Sequence, residues 1–173
     1  MKSIAQWLYS LKIYLKMSFF LASPASLPYS PSALVLTSLA YLLVGDLLLG
    51  EVKSLFSIVL QICLEIAIFI FICYAMLGFK KKLERLLQTL SALIGVSLII
   101  SLASLIMASM LAQPLNEEAI EPMLLQLNLA ILLWNLAVIS LIFKRSFEIK
   151  TITAGFLAFN YLLLYEFIVI NFF

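Results

Sequence analysis

The stretch Lys80–Ala112, KKKLERLLQTLSALIGVSLIISLASLIMASMLA, decides how the rest of the chain is read. Lys80, Lys81, Lys82 and Arg85 precede an uncharged run long enough to cross a bilayer, for which about 20 residues suffice. The positive-inside bias places the basic end of that run in the cytoplasm. Ser91, Gly95, Ser101 and Ser104 punctuate it, and small or hydroxyl residues suit close approach of neighbouring helices rather than contact with lipid. The segment is therefore expected to be the central helix of a bundle.

The surrounding composition agrees. The chain has 173 residues, 65% of them hydrophobic and 12% charged, with a mean hydropathy of +1.16, whereas a soluble domain carries roughly 25% charged residues. The fold class is all-α, a polytopic transmembrane helical bundle. The gaps between apolar runs are shorter than the ~50 residues a separate soluble domain needs. The net charge of +2 is read as topology rather than as a nucleic-acid surface, because the basic residues cluster in alternate loops. Histidine is absent and Cys63 and Cys73 are the two cysteines, which removes His-based catalysis, haem ligation by His and the common zinc sets. No cofactor and no metal are expected. On one helix the two cysteines would lie about 15 Å apart, too far for a disulfide.

In chain order, residues 1–22 form a cytoplasmic amphipathic helix in which Ile4, Trp7, Leu8, Leu11, Leu15 and Phe19 recur at helical spacing. Lys12 and Lys16 interrupt the apolar run, so a retained helix is expected rather than a cleaved signal peptide. Trp7, Lys12 and Lys16 fit a helix lying in the membrane surface, and packing along the bundle's cytoplasmic end uses the same face. Residues 23–31 are a linker broken by Pro24, Pro28 and Pro31, with Ser30 or Ser32 expected to cap the first span.

Residues 32–173 hold five spans, at about 32–49, 54–79, 86–111, 123–143 and 151–173. The connections are a short turn over Gly50–Lys53, the basic turn before span three, an acidic loop over Gln113–Pro122, and a basic turn at Lys144, Arg145 and Lys150. Ten of the eleven Lys and Arg residues then fall on one side, with Lys53 alone opposite. This orients the chain with its N-terminus in the cytoplasm and its C-terminus outside.

Polar residues inside the spans are the candidate site. Ser54, Ser57, Gln61 and Glu65 share one stripe of span two. Counting 1.5 Å per residue inward places Glu65, Ser97, Asn135 and Asn160 at one depth near the midplane. An intramembrane carboxylate is a functional hypothesis by default. No Lys or Arg lies at that depth, so Glu65 is expected to be neutral and held by Asn or Ser. The layer reads either as a proton-linked or polar-substrate site or as a hydrogen-bonded clamp that sets helix register, each such bond contributing ~0.6–2 kcal/mol. Span three offers two narrow stripes, Ser97, Ser101, Ser104 and Ala108 on one side and Gln88, Ser91, Ala92 and Gly95 on the other. Glu166, nearer the outer end, is expected to snorkel to the interface.

There is no GxGxxG, no P-loop and no HExxH. The spans contain no internal proline and no clear inverted repeat, the usual pointer to a transporter site.

The layout resembles the Yip family of Ypt-interacting membrane proteins in its short bacterial form. The resemblance rests on the cytoplasmic N-terminal region, the five spans, LLQTLSALIGVSL opening span three, and NLAILLWNLAVISLIFKRSFEI from span four into its basic turn. It implies a non-enzymatic scaffold, adaptor or complex subunit of the bacterial inner membrane, whose partners are lipids, other membrane proteins or further copies of itself. PYSP stands where eukaryotic relatives carry an acidic-aromatic Gly-Pro motif, so GTPase binding is not carried over. The alternative is a small proton-linked transporter or channel component that uses Glu65.

Overall fold

The computed structural model describes residues 2–50, 52–111 and 117–172, with side chains over 4–50, 52–109 and 123–172. The helices are α1 (Lys2–Ser18), α2 (Pro31–Leu49), α3 (Leu55–Phe79), α4 (Leu86–Leu111), α5 (Glu117–Phe147) and α6 (Thr151–Phe172), with short 3-10 turns at Pro24–Ser26 and Leu83–Arg85. Five of them are long and apolar enough to span a bilayer. The chain is a multi-pass membrane protein of helical bundle architecture, as its sequence led us to expect.

Local chemistry explains where these helices start and stop. Ser30 is the N-cap of α2, its Oγ accepting from the Ala33 amide, and Pro31 fills the first helical position, where its missing donor costs nothing. Ser54 caps α3 in the same way through the Ser57 amide. At their C-terminal ends α1, α3 and α5 stop on residues with left-handed backbone, Phe20, Lys81 and Glu148. Each stop is closed by a six-residue backbone hydrogen bond, Leu21 N to Lys16 O, Lys82 N to Leu77 O, and Ile149 N to Lys144 O. Three L-residues therefore occupy a conformation that glycine takes without penalty.

α4 is the axis. More than half of its spanning window is buried, against a third or less for the other four helices, and it touches α1, α2, α3 and α5. Between helices in lipid, burial gives no hydrophobic gain, so close approach and polar contacts must hold the bundle together. Gly95 shows the close approach, because the Tyr14 ring of α1 lies where a β-carbon would project.

Both boundaries of α5 differ from expectation, and α1 ends at Ser18 rather than at residue 22. α5 begins at Glu117 rather than Met123 and carries Pro122 at its sixth position, past the first turn where proline is tolerated without loss. The acidic segment is thus helical from Glu117 onward, while its residues 113–116, like Glu51 of the α2–α3 turn, lie outside the described residues. α5 also runs to Phe147 rather than Phe143; both rings are buried and stack at 5.2 Å, which rewards the extra turn.

The N-terminal helix docks through a face rotated from its apolar stripe, of which only Trp7 and Leu11 are half-buried. Ser10, Ile13, Tyr14, Met17 and Ser18 are buried, whereas Ile4, Leu8, Leu15 and Phe19 remain 49–58% exposed. Tyr14 anchors the docked face, its hydroxyl 2.6 Å from Ser91 Oγ and 3.4 Å from Thr37 Oγ1. Trp134 Nε1 donates to the Ser18 carbonyl, and Arg145 donates to the carbonyls of Phe20 and Ala22. Gln88 reaches the Leu27 carbonyl of the linker.

Candidate functional site

Four helices send one side chain each to a single point. Glu65 of α3 is 6% exposed. Tyr41 of α2 donates to its Oε2 at 2.5 Å, Tyr161 of α6 donates to Oε1 at 3.0 Å, and Ser97 of α4 donates to Oε1 at 3.4 Å. Tyr161 is fixed from its other side by Phe69, whose ring stacks on it at 4.6 Å. All three donors are neutral hydroxyls. The group therefore satisfies a buried acid without a compensating cation, and it ties α2, α3, α4 and α6 into one register.

The structure keeps part of the expected polar layer and replaces the rest. Glu65 and Ser97 meet as expected. Asn160 does not join them: it is exposed, and its amide donates to the Phe156 carbonyl of its own helix at 2.7 Å. The reason is rotational. Ala154, Ala158 and Tyr161 are the buried positions of α6, and Asn160 lies 100° from Tyr161 around the helix. Asn135 is half-buried on α5, with an enclosed Oδ1 that finds no partner among the described residues, and it does not bond Glu65.

The two tyrosines were missed by reasoning from polarity. A usable signal was present, since tyrosine prefers the membrane interfaces, yet Tyr41 and Tyr161 each sit ten residues inside their helices, about 15 Å deep. Mid-span tyrosine needs a partner for its hydroxyl, and Glu65 at matching depth is that partner.

Gln61, one turn from Glu65, is 4% exposed, and its Nε2 is enclosed with no hydrogen-bond partner among the described residues. It lines a cavity of about 70 Å³ shared with Tyr41, Gly45, Ser101 and Tyr165. Of the residues expected to pack helices, Ser91 and Gly95 receive Tyr14, Ser101 faces this cavity, and Ser104 bonds the Ile100 carbonyl of its own helix. Lys12 and Lys16 are exposed, whereas Trp7 is half-buried with an enclosed Nε1 that finds no partner among the described residues.

A second polar cluster joins the loops. Glu148 pairs with Lys82 at 2.5 Å and with Arg85 at 2.7 Å, which brings the α3–α4 and α5–α6 connections to the same end of the bundle. Hydrogen bonds from Lys82 and then Arg85 hold the exposed Glu148 carboxyl below its ordinary range. Among the described residues no group of three or more His, Cys, Asp and Glu side chains is placed to hold a metal ion. Comparison with protein-family models, with curated proteins and with solved structures gives no match for this chain.

Proposed function

We propose that the protein is a non-enzymatic organiser of the bacterial inner membrane, acting as a scaffold or adaptor through its surfaces. The N-terminus lies in the cytoplasm and the C-terminus outside. The observation that carries this reading is the two-faced α1. One face is locked to α4 by Tyr14, while the other presents Ile4, Leu8, Leu15 and Phe19 beside Lys12 and Lys16. An apolar stripe flanked by lysines suits the headgroup boundary of an anionic leaflet. Rigid attachment to five spans would make it a permanent single-leaflet wedge. The resemblance to the Yip family supports the same class of role.

The test uses the full chain in vesicles containing phosphatidylglycerol. The wild type is expected to narrow or tubulate the vesicles, or to assemble there into cross-linkable oligomers. Leu8→Asp with Leu15→Asp should abolish the effect while the spans still insert. A wild-type chain that stays monomeric and leaves vesicle shape unchanged refutes the proposal.

The second reading, a proton-linked transporter or channel component, is favoured by the buried Glu65 and loses the support of Asn135 and Asn160. Glu65→Gln separates the two: loss of solute or proton movement with intact folding supports transport.

A further inference from the structure

We infer that the cavity between α2, α3, α4 and α6 is a binding site for small neutral hydrogen-bonding molecules, water first, set against the far side of the Glu65 cluster. The inference is independent of the organising role proposed above.

Its position follows from the lining. Tyr41, Gly45, Leu48 and Leu49 come from the C-terminal half of α2, and Ile58, Gln61 and Ile62 from the N-terminal half of α3. The cavity therefore lies towards the α2–α3 turn. Tyr41 borders it and also bonds Glu65, so a single phenol separates cavity from carboxyl.

Its chemistry follows from what is left unmade. Gln61 Nε2 is enclosed without an acceptor among the described residues, and a buried donor left unpaired is costly. Ser101 and Tyr165 add hydroxyls to the same wall. An acyl chain would leave the Gln61 donor unsatisfied. A cation has no ionised side chain to meet among the lining residues, and an anion would be stripped of water for one amide and three hydroxyls. A neutral molecule that both accepts and donates matches them all. At about 70 Å³ the space takes ~2 waters, each occupying about 30 Å³ in the liquid. The contrast is the groove of about 630 Å³ between α3 and α6, walled by Leu60, Leu64, Ala67, Ile168 and Phe172, where the surroundings are apolar.

The consequence is that Glu65, read from its bonds alone as a sealed register clamp, has a hydrated chamber one hydroxyl away. Gly45 is part of the wall, and a β-carbon there would lie 2.9 Å from Ile62 Cδ1, the movable end of that side chain.

The experiment uses the full chain in lipid nanodiscs with nitrogen-labelled glutamine. The Gln61 side-chain amide is identified by its disappearance in Gln61→Leu, or by its cross-peaks to the Leu48 and Ile58 methyls should that variant not fold. Cross-peaks from Gln61 Nε2 protons to water are expected, with exchange into deuterated buffer at least tenfold faster than for the Gln88 amide that is bonded to Leu27. Ser101→Val should slow that exchange. Xenon under pressure should leave the Leu48 methyl resonances unmoved, because xenon fills dry apolar cavities. A Gln61 amide without water contact and protected for hours, or a xenon shift at Leu48, overturns the inference.

Discussion

Gly95→Ala should loosen the N-terminal helix from the bundle. A β-carbon at this position overlaps the Tyr14 ring, and the ring has little room to retreat, since Tyr14 is 0% exposed and its hydroxyl is held by Ser91 and Thr37. Overpacking of this kind costs about 1–3 kcal/mol, and dragging the hydroxyl out of line forfeits about 1 kcal/mol per hydrogen bond. Replacing an interior helical glycine by alanine offsets about 1 kcal/mol of that. The expected net loss is about 1–3 kcal/mol. Thermal unfolding of the purified chain measures it, and trypsin cleavage after Lys12 and Lys16 reports whether α1 has come away. In a Tyr14→Ala background the same Gly95→Ala change should be neutral or slightly stabilising, because nothing remains for the new methyl to strike. The two substitutions would then couple by at least ~1 kcal/mol in a double-mutant cycle. Wild-type melting together with wild-type protection of both lysines in Gly95→Ala refutes the argument that Tyr14 is seated on this glycine.

Lys81, with φ at 56°, is a site where glycine relieves backbone strain, and Lys81→Gly should raise stability by about 0.5–1 kcal/mol, read as a higher melting temperature. Glu65→Leu removes the acceptor shared by Tyr41, Tyr161 and Ser97; denaturation in mild detergent should show a loss of about 1–3 kcal/mol, and Glu65→Gln a smaller one. Glu148 should make the loop end of the bundle acid-sensitive. Its carboxyl is held below the ordinary range by Lys82 and Arg85, so its contribution is fully present above the unfolded value of about 4.3 and disappears as pH falls through the lower folded value. Melting temperatures between pH 3 and about pH 6 should therefore fall more steeply for the wild type than for Glu148→Gln; parallel profiles contradict the pairing.

Much of the fold was legible because lipid leaves few choices. Once the bilayer denies water to the backbone, apolar runs of this length must be helices, and runs bounded by prolines, serines and basic turns declare their own ends. Four of the five spans consequently begin within a residue of where composition put them. The start of α5 is hidden in the sequence because acidic residues and a proline look like a loop, although acidic residues are also favoured where a helix opens.

What the sequence by itself determined is which segments enter the membrane, that the basic residues gather at one end, and that α4 lies at the centre. Polarity and length carry that information locally. Only the tertiary structure decided which side of each helix faces inward. A rotation of one residue, 100°, exchanges Asn160 for Tyr161, and the choice depends on packing against Phe69, a residue 92 positions earlier than Tyr161 in the chain. The same holds for α1, whose docked face was selected by the hollow at Gly95 that accepts an aromatic ring, rather than by where its own leucines and isoleucines fall. In a solvent that is itself apolar, fit and hydrogen bonding orient a helix where hydrophobicity cannot.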